Sequence, residues 1–369
     1  MSYIRRIVIE KYRSIERLDV DLSPREGTKF RHLILTGPNG SGKSSALELI
    51  HDALPKLTRP TPTENPVCAV TLDKQPRDGG RGQILAFFQA QRLLRISEVS
   101  GPSKIDWMKI LRGQSTATQQ TVQYLVNRKV EQSFARDDGD HAVVAAIEAW
   151  FADLQKNLAH LFEDPALALH FDRKNFTVSL RYGDSREVSF AQLAHGHSAA
   201  LSIFFELLLQ SQAHREEFQQ EQLAGIVLID ELETHLHIRL QERILPFLTE
   251  IFPTFQFIVA THSPAVIASI PDAVVYDLRK REATDSADLQ GVRYGTLMTA
   301  HFGISSDMDL DSTKKLERLR ELAGRARSAA EEQEMASLSD TLSERSRTLA
   351  LEVWKIQNPS PVRVLAGAS

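Results

Sequence analysis

The sequence predicts an α/β protein in which a mixed central sheet carries the chemistry at one of its edges. Three short apolar runs indicate this fold class: His32–Thr36, Gly225–Asp230 and Phe255–Ala260. Runs of this length and composition are typical of strands that are buried on both faces of a parallel sheet. Each run passes directly into glycine-rich or polar residues. Because the carboxyl ends of parallel strands meet at one edge of a sheet, we expect these residues to form one site.

The composition is that of an ordinary globular protein. The chain has 369 residues, of which 42% are hydrophobic and 25% charged, and its formal net charge is −4. These values argue against a disordered chain and against a strongly basic protein that coats DNA. The single cysteine, Cys68, excludes an intramolecular disulfide framework and a cysteine-based zinc ribbon. No apolar run approaches the ~18–20 residues of a membrane helix, and the first residues lack a signal-peptide core, so we expect a soluble, cytoplasmic protein.

The remaining pattern places further elements around the central sheet. Alternating or apolar segments predict strands over Ile4–Glu10, Leu18–Leu22, Val67–Leu72, Gln83–Gln89 and Val274–Asp277, and short antiparallel strands over Leu167–Phe171, Phe176–Tyr182 and Glu187–Phe190. Helical spacing predicts helices from Ser44, from about Thr116 to Leu161 with a break at Asp137–Asp140, over Ser198–Gln210 and Leu236–Phe252, and over Thr313–Ile356 with a break near Gly324. The sequence therefore predicts a small antiparallel subdomain, a short helical insertion and a C-terminal helical tail.

A phosphate-binding loop lies between the strand His32–Thr36 and the helix that follows it. Its glycines allow backbone N–H groups to turn toward phosphate oxygens, and the helix N-terminus adds partial positive charge. We expect the Lys43 ammonium to bind the β- and γ-phosphates and the Ser44 hydroxyl to ligate Mg²⁺. The loop matches G-x-x-x-x-G-K-[ST] in full: Gly37, Pro38, Asn39, Gly40, Ser41, Gly42, Lys43 and Ser44.

Two carboxylates end the second apolar run. Asp230 and Glu231 follow Ile226–Ile229 directly, at the predicted carboxyl end of a buried strand. We expect Asp230 to hold Mg²⁺, directly or through water, and Glu231 to orient and polarise the attacking water. A strand that ends in solvated acids is the alternative, and the phosphate-binding loop in the same chain makes it the weaker one.

The third run ends in Thr261, His262, Ser263 and Pro264. A histidine after a strand is more often structural than functional. Here the strand is predicted to end at the same sheet edge as the other two motifs. We therefore expect His262 to form a hydrogen bond with the γ-phosphate.

In this order, the three motifs resemble the ABC-type ATPase head that SMC-like and RecF-like proteins share. More narrowly, they resemble AAA-family ATPases of bacterial anti-phage defence systems, of the OLD or Septu type but without a TOPRIM domain. The segments that carry this resemblance are IRRIVIEKYRSIERLDVDL, GPNGSGKSS, IDELETHLHIRLQ and FIVATHSPAVI. They cover residues 1–50 and 185–270 well and the rest only loosely. The resemblance implies an enzyme that binds ATP with Mg²⁺ and hydrolyses it.

The resemblance also implies further nucleotide-site residues. Arg13, in the KYRSIE turn, matches a basic position that contacts nucleotide in this group, and Ser45 is the second serine of GPNGSGKSS. Such heads also carry a glutamine that senses Mg²⁺ after a strand beyond the loop. Gln89 fits this position better than Gln91, because it directly follows Phe87-Phe88 at the predicted strand end.

A signature segment, usually written L-S-G-G-Q, opens a helix in these heads and reaches the ATP of the opposing subunit. The matching segment here, Leu193-Ala194-His195-Gly196-His197, precedes Ser198 and the apolar helix. The leucine and the second glycine remain, but Ala194 replaces the serine, and His195 or Ser198 are candidates to replace its hydroxyl. The expected set that acts on the opposing subunit is Ala194, His195, Gly196, His197 and Ser198.

The segment after Glu231 departs from the pattern of these heads at two positions. After Glu231, Leu232 stands where the pattern has proline and His237 where it has aspartate.

A zinc site is one alternative function for the histidines near these motifs, namely His235, His237 and His262. No nearby cysteine or other ligand at suitable spacing supports that site. The D-x-D of Asp307–Asp311 is expected to cap a helix rather than to form a TOPRIM nuclease site, because no apolar strand precedes it.

These observations predict two regions. We expect an ATPase head over residues 1–270, with a helical insertion at about 112–162, and a C-terminal strand and helical region for partner or dimer contacts over 271–369. The resemblance implies a homodimer or higher homo-oligomer that regulates a separate effector, a nuclease or toxin, in phage defence. It leaves DNA or RNA binding open and implies no membrane partner. A RecF-like DNA-repair ATPase is the alternative, and a transporter's nucleotide-binding subunit is weaker because such subunits keep the signature serine.

Overall fold

A computed structural model describes residues 2–54, 67–74, 83–113 without Leu93, Arg95 and Glu98, 117–302 and 309–358. The chain divides into two compact units, Met1–Leu297 and Met298–Ser369. Among the described residues, no helix combines the length and the apolar character needed to cross a membrane.

The strands that the structure describes belong to three sheets. In chain order they are β1 (Ile4–Ile9), β2 (Leu18–Asp21), β3 (His32–Thr36), β4 (Cys68–Leu72), β5 (Gln83–Phe88), β6 (Ala168–Asp172), β7 (Thr177–Arg181), β8 (Glu187–Ser189), β9 (Ala224–Ile229), β10 (Phe255–Ala260), β11 (Ala273–Asp277) and β12 (Glu282–Asp285).

The α-helices are dispersed between these strands and dominate the C-terminal end. They are α1 (Lys43–Ala53), α2 (Trp107–Leu111), α3 (Thr121–Asp137), α4 (His141–Leu161), α5 (His195–Phe218), α6 (Ile238–Ile251), α7 (Pro264–Ile267), α8 (Tyr294–Phe302), α9 (Leu310–Ala323), α10 (Ala329–Arg345) and α11 (Arg347–Gln357).

The central sheet is mixed and has the strand order β12-β11-β3-β10-β9-β5 among the described residues. The five strands from β11 to β5 pair in parallel, and β12 pairs antiparallel with β11. The inner strands β3, β9 and β10 are buried along their whole length. Their carboxyl ends therefore lie at one edge, as the sequence predicts.

Helix α1 packs between the central sheet and a smaller antiparallel sheet of order β2-β1-β4. Ala46, Leu47 and Ile50 recur at helical spacing, and all three are fully buried in the shared core. The amide of Gln256, on β10, joins the two sheets: its Oε1 accepts a bond from Ile4 N at 2.7 Å, and its Nε2 donates to Ile4 O at 3.0 Å. This buried polar side chain is satisfied, so it orients β1 against the central sheet without an unpaired group.

The predicted helical insertion and small antiparallel sheet are both present. Helices α3 and α4 are separated at Asp138–Asp140, where Gly139 has a positive φ of 76° and the Asp140 carboxylate accepts a bond from Val143 N. The sheet has the order β6-β7-β8. The predicted fold class, a mixed central sheet with a small β-subdomain, a helical insertion and C-terminal helices, is confirmed.

Several element boundaries differ from the prediction. Helix α5 begins at His195 and ends at Phe218, longer at both ends than the apolar stretch that predicted it. Helix α6 begins at Ile238 rather than Leu236, because His235 has a left-handed φ of 66° that no helix continues through. Helices α2 and α8 and strand β12 were not predicted, because these elements are short and lack a clear apolar period.

The second unit contains α9, α10 and α11. Leu319, Leu342 and Val353, one from each helix, belong to its small core. Ser328 and Glu331 form a capping box at the start of α10, after the predicted break. Asp309 caps α9 through Asp311 N and Ser312 N, as expected for this acidic segment, whereas Asp307 and Met308 lie outside the described residues.

The core of the central sheet should lose stability in mild acid because of His32. Its Nδ1 accepts a bond from Phe257 N at 3.0 Å, and burial lowers the pKa of the imidazole to about 4 against a partial opposing effect of Asp272. As the pH falls, the histidine of the unfolded chain takes up its proton before the buried one does. The contribution of neutral His32 to the free energy of unfolding is therefore complete above pH 6.5 and falls by at most about 3 kcal/mol as the pH drops toward 4. His32→Asn keeps an acceptor for Phe257 N. In urea unfolding at several pH values, this variant should show a weaker dependence of the free energy of unfolding on pH between 6.5 and 4.

The exposed His141 supplies the control for this measurement, since His141→Asn should leave the slope unchanged. A slope between pH 6.5 and 4 that His32→Asn does not reduce would show that other groups dominate the acid sensitivity.

Candidate functional site

The phosphate-binding loop connects β3 to α1 in a conformation that requires its glycines. Gly37, Gly40 and Gly42 all have positive φ, at 135°, 79° and 100°. A Cβ on Gly42 would lie 2.6 Å from Cγ1 of Ile15, so the neighbouring turn also leaves no room for a larger residue. This geometry turns backbone N–H groups toward the loop interior, as a phosphate ligand requires.

Lys43 lies inside the loop and is buried. Its Nζ donates to the carbonyl oxygens of Gly37 and Pro38 at 3.0 and 3.2 Å. Burial lowers the pKa of the ammonium, and the carboxylates of Glu233, Asp230, Glu231 and Asp277 oppose that shift. The loop lysine is therefore a cation close to acids at the carboxyl ends of two other strands of the sheet, β9 and β11.

Asp230 and Glu231 directly follow β9, at the edge where β3 enters the loop. The Asp230 backbone N–H donates to Phe88 O at 2.8 Å, which places the end of β5 beside this turn. Glu231 has an uncommon positive φ of 45°, and its Oε2 accepts a bond from the Thr234 hydroxyl at 3.0 Å. The aspartate thus belongs to the sheet edge, while the backbone turns sharply at the glutamate.

Glu233 connects this turn to the end of β10. Its Oε2 accepts a bond from the Thr261 hydroxyl at 2.7 Å, and its Oε1 accepts a short bond from the His262 backbone N–H. Burial lowers the pKa of His262, and the charge of Lys43 lowers it further, against the nearby carboxylates. At pH 7 the His262 imidazole is therefore neutral, with one ring N–H to donate.

Arg13 lies beside the start of α1. The turn that contains it is closed by two backbone bonds between Tyr12 and Ile15, and Arg13 itself has a φ of 51°. Its Nη1 donates to the Ser45 hydroxyl at 3.1 Å and lies 3.6 Å from a carboxylate oxygen of Glu48. The structure thus brings Arg13 and Ser45 together at the helix N-terminus, with the guanidinium largely exposed.

Gln89 and Gln91 both lie in the loop after β5, and both side chains are exposed. Gln89 directly follows Phe88, the residue whose carbonyl binds Asp230 N. Arg92, in the same loop, donates from its guanidinium to main-chain carbonyls of Gln89, Asp230, Glu231 and Leu232. Burial lowers the pKa of Arg92 to about 10, so it stays charged at pH 7.

The residues at this edge fit a magnesium ion. Asp230 is 8% exposed, and its Oδ1 is buried without a hydrogen-bond partner among the described residues. Such an atom is costly unless a ligand or water satisfies it. Carboxylate and hydroxyl oxygens are the ligands that Mg²⁺ prefers, and Ser44 presents an exposed hydroxyl on the first turn of α1.

The signature segment opens α5, and its side chains point in different directions. Ala194 and His195 are exposed. Ser198 is buried, and its hydroxyl accepts a bond from Leu94 N at 3.1 Å, while the His197 ring stacks on Phe162 with centroids 4.4 Å apart. Burial lowers the pKa of His197. Of the two candidates to replace the missing serine hydroxyl, only His195 therefore faces outward.

The turn after Glu231 contacts this segment. A Cβ on Gly196 would lie 2.7 Å from the carbonyl oxygen of His235, which explains why glycine stands there. The rings of His195 and His235 lie 5.8 Å apart between centroids, and His237 is exposed. Among the described residues, no three histidine, cysteine or acidic side chains are grouped to hold a metal ion, so the zinc alternative gains no support.

Two residues of the site were missed in the sequence. Glu233 lies two positions after Glu231. This spacing could have suggested that its carboxylate contacts the polar residues that follow β10. Arg92 lies three positions after Gln89 in Phe-Phe-Gln-Ala-Gln-Arg. No sequence signal separates an arginine that binds main-chain carbonyls from a solvated one.

Comparisons with known proteins give one matching family model and several curated relatives. Residues 122–268 match the AAA_21 family, described as "AAA domain, putative AbiEii toxin, Type IV TA system". Septu protein PtuA of Bacillus mycoides is 23% identical over 83% of this chain and 45% of its own length. The Retron Ec83 probable ATPase of Escherichia coli is 47% identical over 15% of this chain and 10% of its own. The chain thus spans less than half the length of these curated relatives.

Among solved structures, the SMC head domain from Thermotoga maritima aligns with 74% of this chain and 94% of its own, at 15% identity and a TM-score of 0.38. The family and curated matches confirm that the chain resembles AAA-family ATPases of anti-phage defence systems.

Lys43→Ala should lose ATP binding, since among the described residues of the loop no other side chain is a cation. We expect the affinity to fall at least ~30-fold, the equivalent of one or two hydrogen bonds to a charged group. Titration with a fluorescent ATP analogue measures this loss. Lys29→Ala, at an exposed lysine between β2 and β3, is the control for a simple loss of charge. Binding within a few-fold of the original protein would contradict the assignment of this loop.

Proposed function

We propose that this protein is a magnesium-dependent ATPase that hydrolyses ATP at the carboxyl edge of its central sheet. The observation that carries the proposal is the convergence of Lys43, Asp230 with its unpartnered buried oxygen, and Glu231 just beyond the carboxyl ends of β3 and β9, which both pair in parallel with β10. A nucleoside triphosphate fits as the substrate because the loop residues 37–45 and Arg13 lie at the N-terminus of α1, where backbone N–H groups favour phosphate. The similarity to the retron probable ATPase favours ATP among these substrates.

Each residue then has a distinct task. Lys43 exchanges its bonds to Gly37 O and Pro38 O for phosphate oxygens, which offer it stronger, charge-assisted hydrogen bonds. Ser44, Asp230 and Gln89 would hold Mg²⁺, and that ion would neutralise charge on the phosphates. Glu231 accepts the proton of the attacking water, and neutral His262 donates a hydrogen bond to the γ-phosphate.

The exposed signature segment supports a dimer that encloses two nucleotides. Helix α5 has 24 residues, its first N–H groups lack a side-chain cap, and Ala194 and His195 face solvent at its start. An uncapped N-terminus favours an anion, and the γ-phosphate of a second subunit supplies one. His195 would provide the donor that Ala194 lacks.

A role in phage defence, through a separate nuclease or toxin effector, rests on the resemblance to Septu and retron ATPases. In this proposal the nucleotide state of the heads controls the effector, and DNA or RNA is a further candidate ligand. Co-expression with the product of a neighbouring gene tests the partner: the two proteins should purify together through a tag on this chain. Separate elution of the two would contradict that pairing.

Glu231→Gln should bind ATP with Mg²⁺ normally and hydrolyse it ~10²–10⁴-fold more slowly, because the amide keeps the shape of the side chain but cannot accept the proton. Phosphate release under saturating ATP measures the effect. Glu250→Gln, at an exposed glutamate near the end of α6, is the matched control and should retain full activity. Near-normal hydrolysis by Glu231→Gln would remove the role assigned to Glu231.

The protein should form a dimer even without nucleotide, because α11 leaves Leu351 and Trp354 53% and 57% exposed. Light scattering at micromolar concentration should give the mass of two chains. A double change of Leu351 and Trp354 to serine should yield monomers, while Lys355→Ser on the same helix should not.

A monomer that dimerises only with ATP would show that α11 is not an interface. If Glu231→Gln stays monomeric with ATP as well, the dimeric site itself is wrong.

A further inference from the structure

Arg92 makes an unusual set of contacts for a half-buried cation. Its Nη1 donates to the carbonyl oxygens of Gln89 and Asp230 at 3.0 and 2.8 Å. Its Nη2 donates to those of Glu231 and Leu232, both at 2.9 Å. One planar guanidinium therefore binds three consecutive carbonyls of the turn after β9 and one carbonyl of the loop after β5.

These contacts surround a residue of the site whose backbone adopts a left-handed conformation. Glu231 has a φ of 45°, and such a conformation in a residue other than glycine persists only where the surroundings enforce it. Arg92 binds the peptide carbonyls on both sides of Glu231, as well as the carbonyl of Leu232. The direction in which the Glu231 carboxylate leaves the backbone thus depends on the guanidinium.

The loop that carries Arg92 is anchored at both of its ends. Gln89 directly follows β5, which pairs with β9 up to the register Phe88–Ile229. At its other end, the Leu94 backbone N–H donates to the Ser198 hydroxyl, which is buried on the first turns of α5. Arg92 therefore lies between the turn that contains Glu231 and the helix that opens with the signature segment.

We propose that Arg92 is a positioning residue, which holds the backbone at Glu231 so that its carboxylate faces the attacking water. The inference rests on the proposed ATPase function and concerns how that function is achieved. Arg92 contacts no reacting atom, since its partners are main-chain carbonyls. Its loss should therefore impair hydrolysis through Glu231 while nucleotide still binds.

Arg92→Lys tests this proposal, because a lysine ammonium is a compact donor that cannot bind both pairs of carbonyls in the fixed geometry of a guanidinium. We expect kcat to fall ~10–100-fold while the Kd for ATP changes less than about threefold. Arg31→Lys is the matched control: Arg31 is also half-buried and donates to a main-chain carbonyl, Ala273 O at 3.0 Å, as well as to the Asp285 carboxylate, but it precedes β3 at the opposite edge of the sheet. It should lower the melting temperature without lowering kcat.

A double variant separates positioning from a general structural effect. If Arg92 acts through Glu231, Arg92→Lys combined with Glu231→Gln should hydrolyse ATP no more slowly than Glu231→Gln alone. A further loss by the full factor of Arg92→Lys would overturn the proposal, as would an unchanged kcat in Arg92→Lys.

A second variant keeps the test decisive if Arg92→Lys folds poorly. In Arg92→Ala, added ethylguanidinium should restore part of kcat, whereas the same concentration of ethylammonium should not. Failure of rescue in a folded Arg92→Ala would count against the proposal. The proposed ATPase function fails in a different way, namely when Glu231→Gln alone hydrolyses ATP at the normal rate.

Discussion

Parallel pairing of β3, β10 and β9 is the constraint on which the rest of the site depends. These strands align through Ile258 with Leu33 and through Val259 with Ile229, so their carboxyl ends arrive at one edge. Each strand then contributes a different chemical group: a glycine loop with Lys43, the acids that follow β9, and His262. The apolar faces that bury these strands on both sides are thus the reason why a cation and several carboxylates lie together at one edge.

Close approach between backbone segments sets the finer geometry. Gly42 fits under Ile15, which brings the turn of Arg13 to the start of α1, and Gly196 fits against the carbonyl of His235. In both places a Cβ would overlap an atom of a segment remote in sequence. The glycines therefore allow turns to pack onto helix N-termini, the places where anions bind.

Much of this arrangement could be predicted from the sequence. The loop motif, the acids after an apolar run and the predicted central strands are local patterns, and a buried parallel strand leaves a clear signature in its composition. The start of α5 at His195 and the left-handed turn at His235 could not be predicted, because both depend on contacts between the signature segment and the turn after Glu231. The inward direction of Ser198 depends in the same way on Leu94, which lies 104 residues away along the chain.

The least predictable part of the site is the part that organises its charges. Lys43, Asp230, Glu231 and Glu233 influence one another in a confined volume, and Arg92 and Glu233 bind backbone and side-chain groups rather than each other. A half-buried guanidinium that binds carbonyls leaves the nearby carboxylates unpaired with it, so they keep their capacity to bind a metal ion and to accept a proton. Had Arg92 instead formed an ion pair with Glu231, the cation would have stabilised the carboxylate and made it a weaker acceptor for a proton from water. The arrangement therefore supports the turn with a cation while the acid next to it stays available for chemistry.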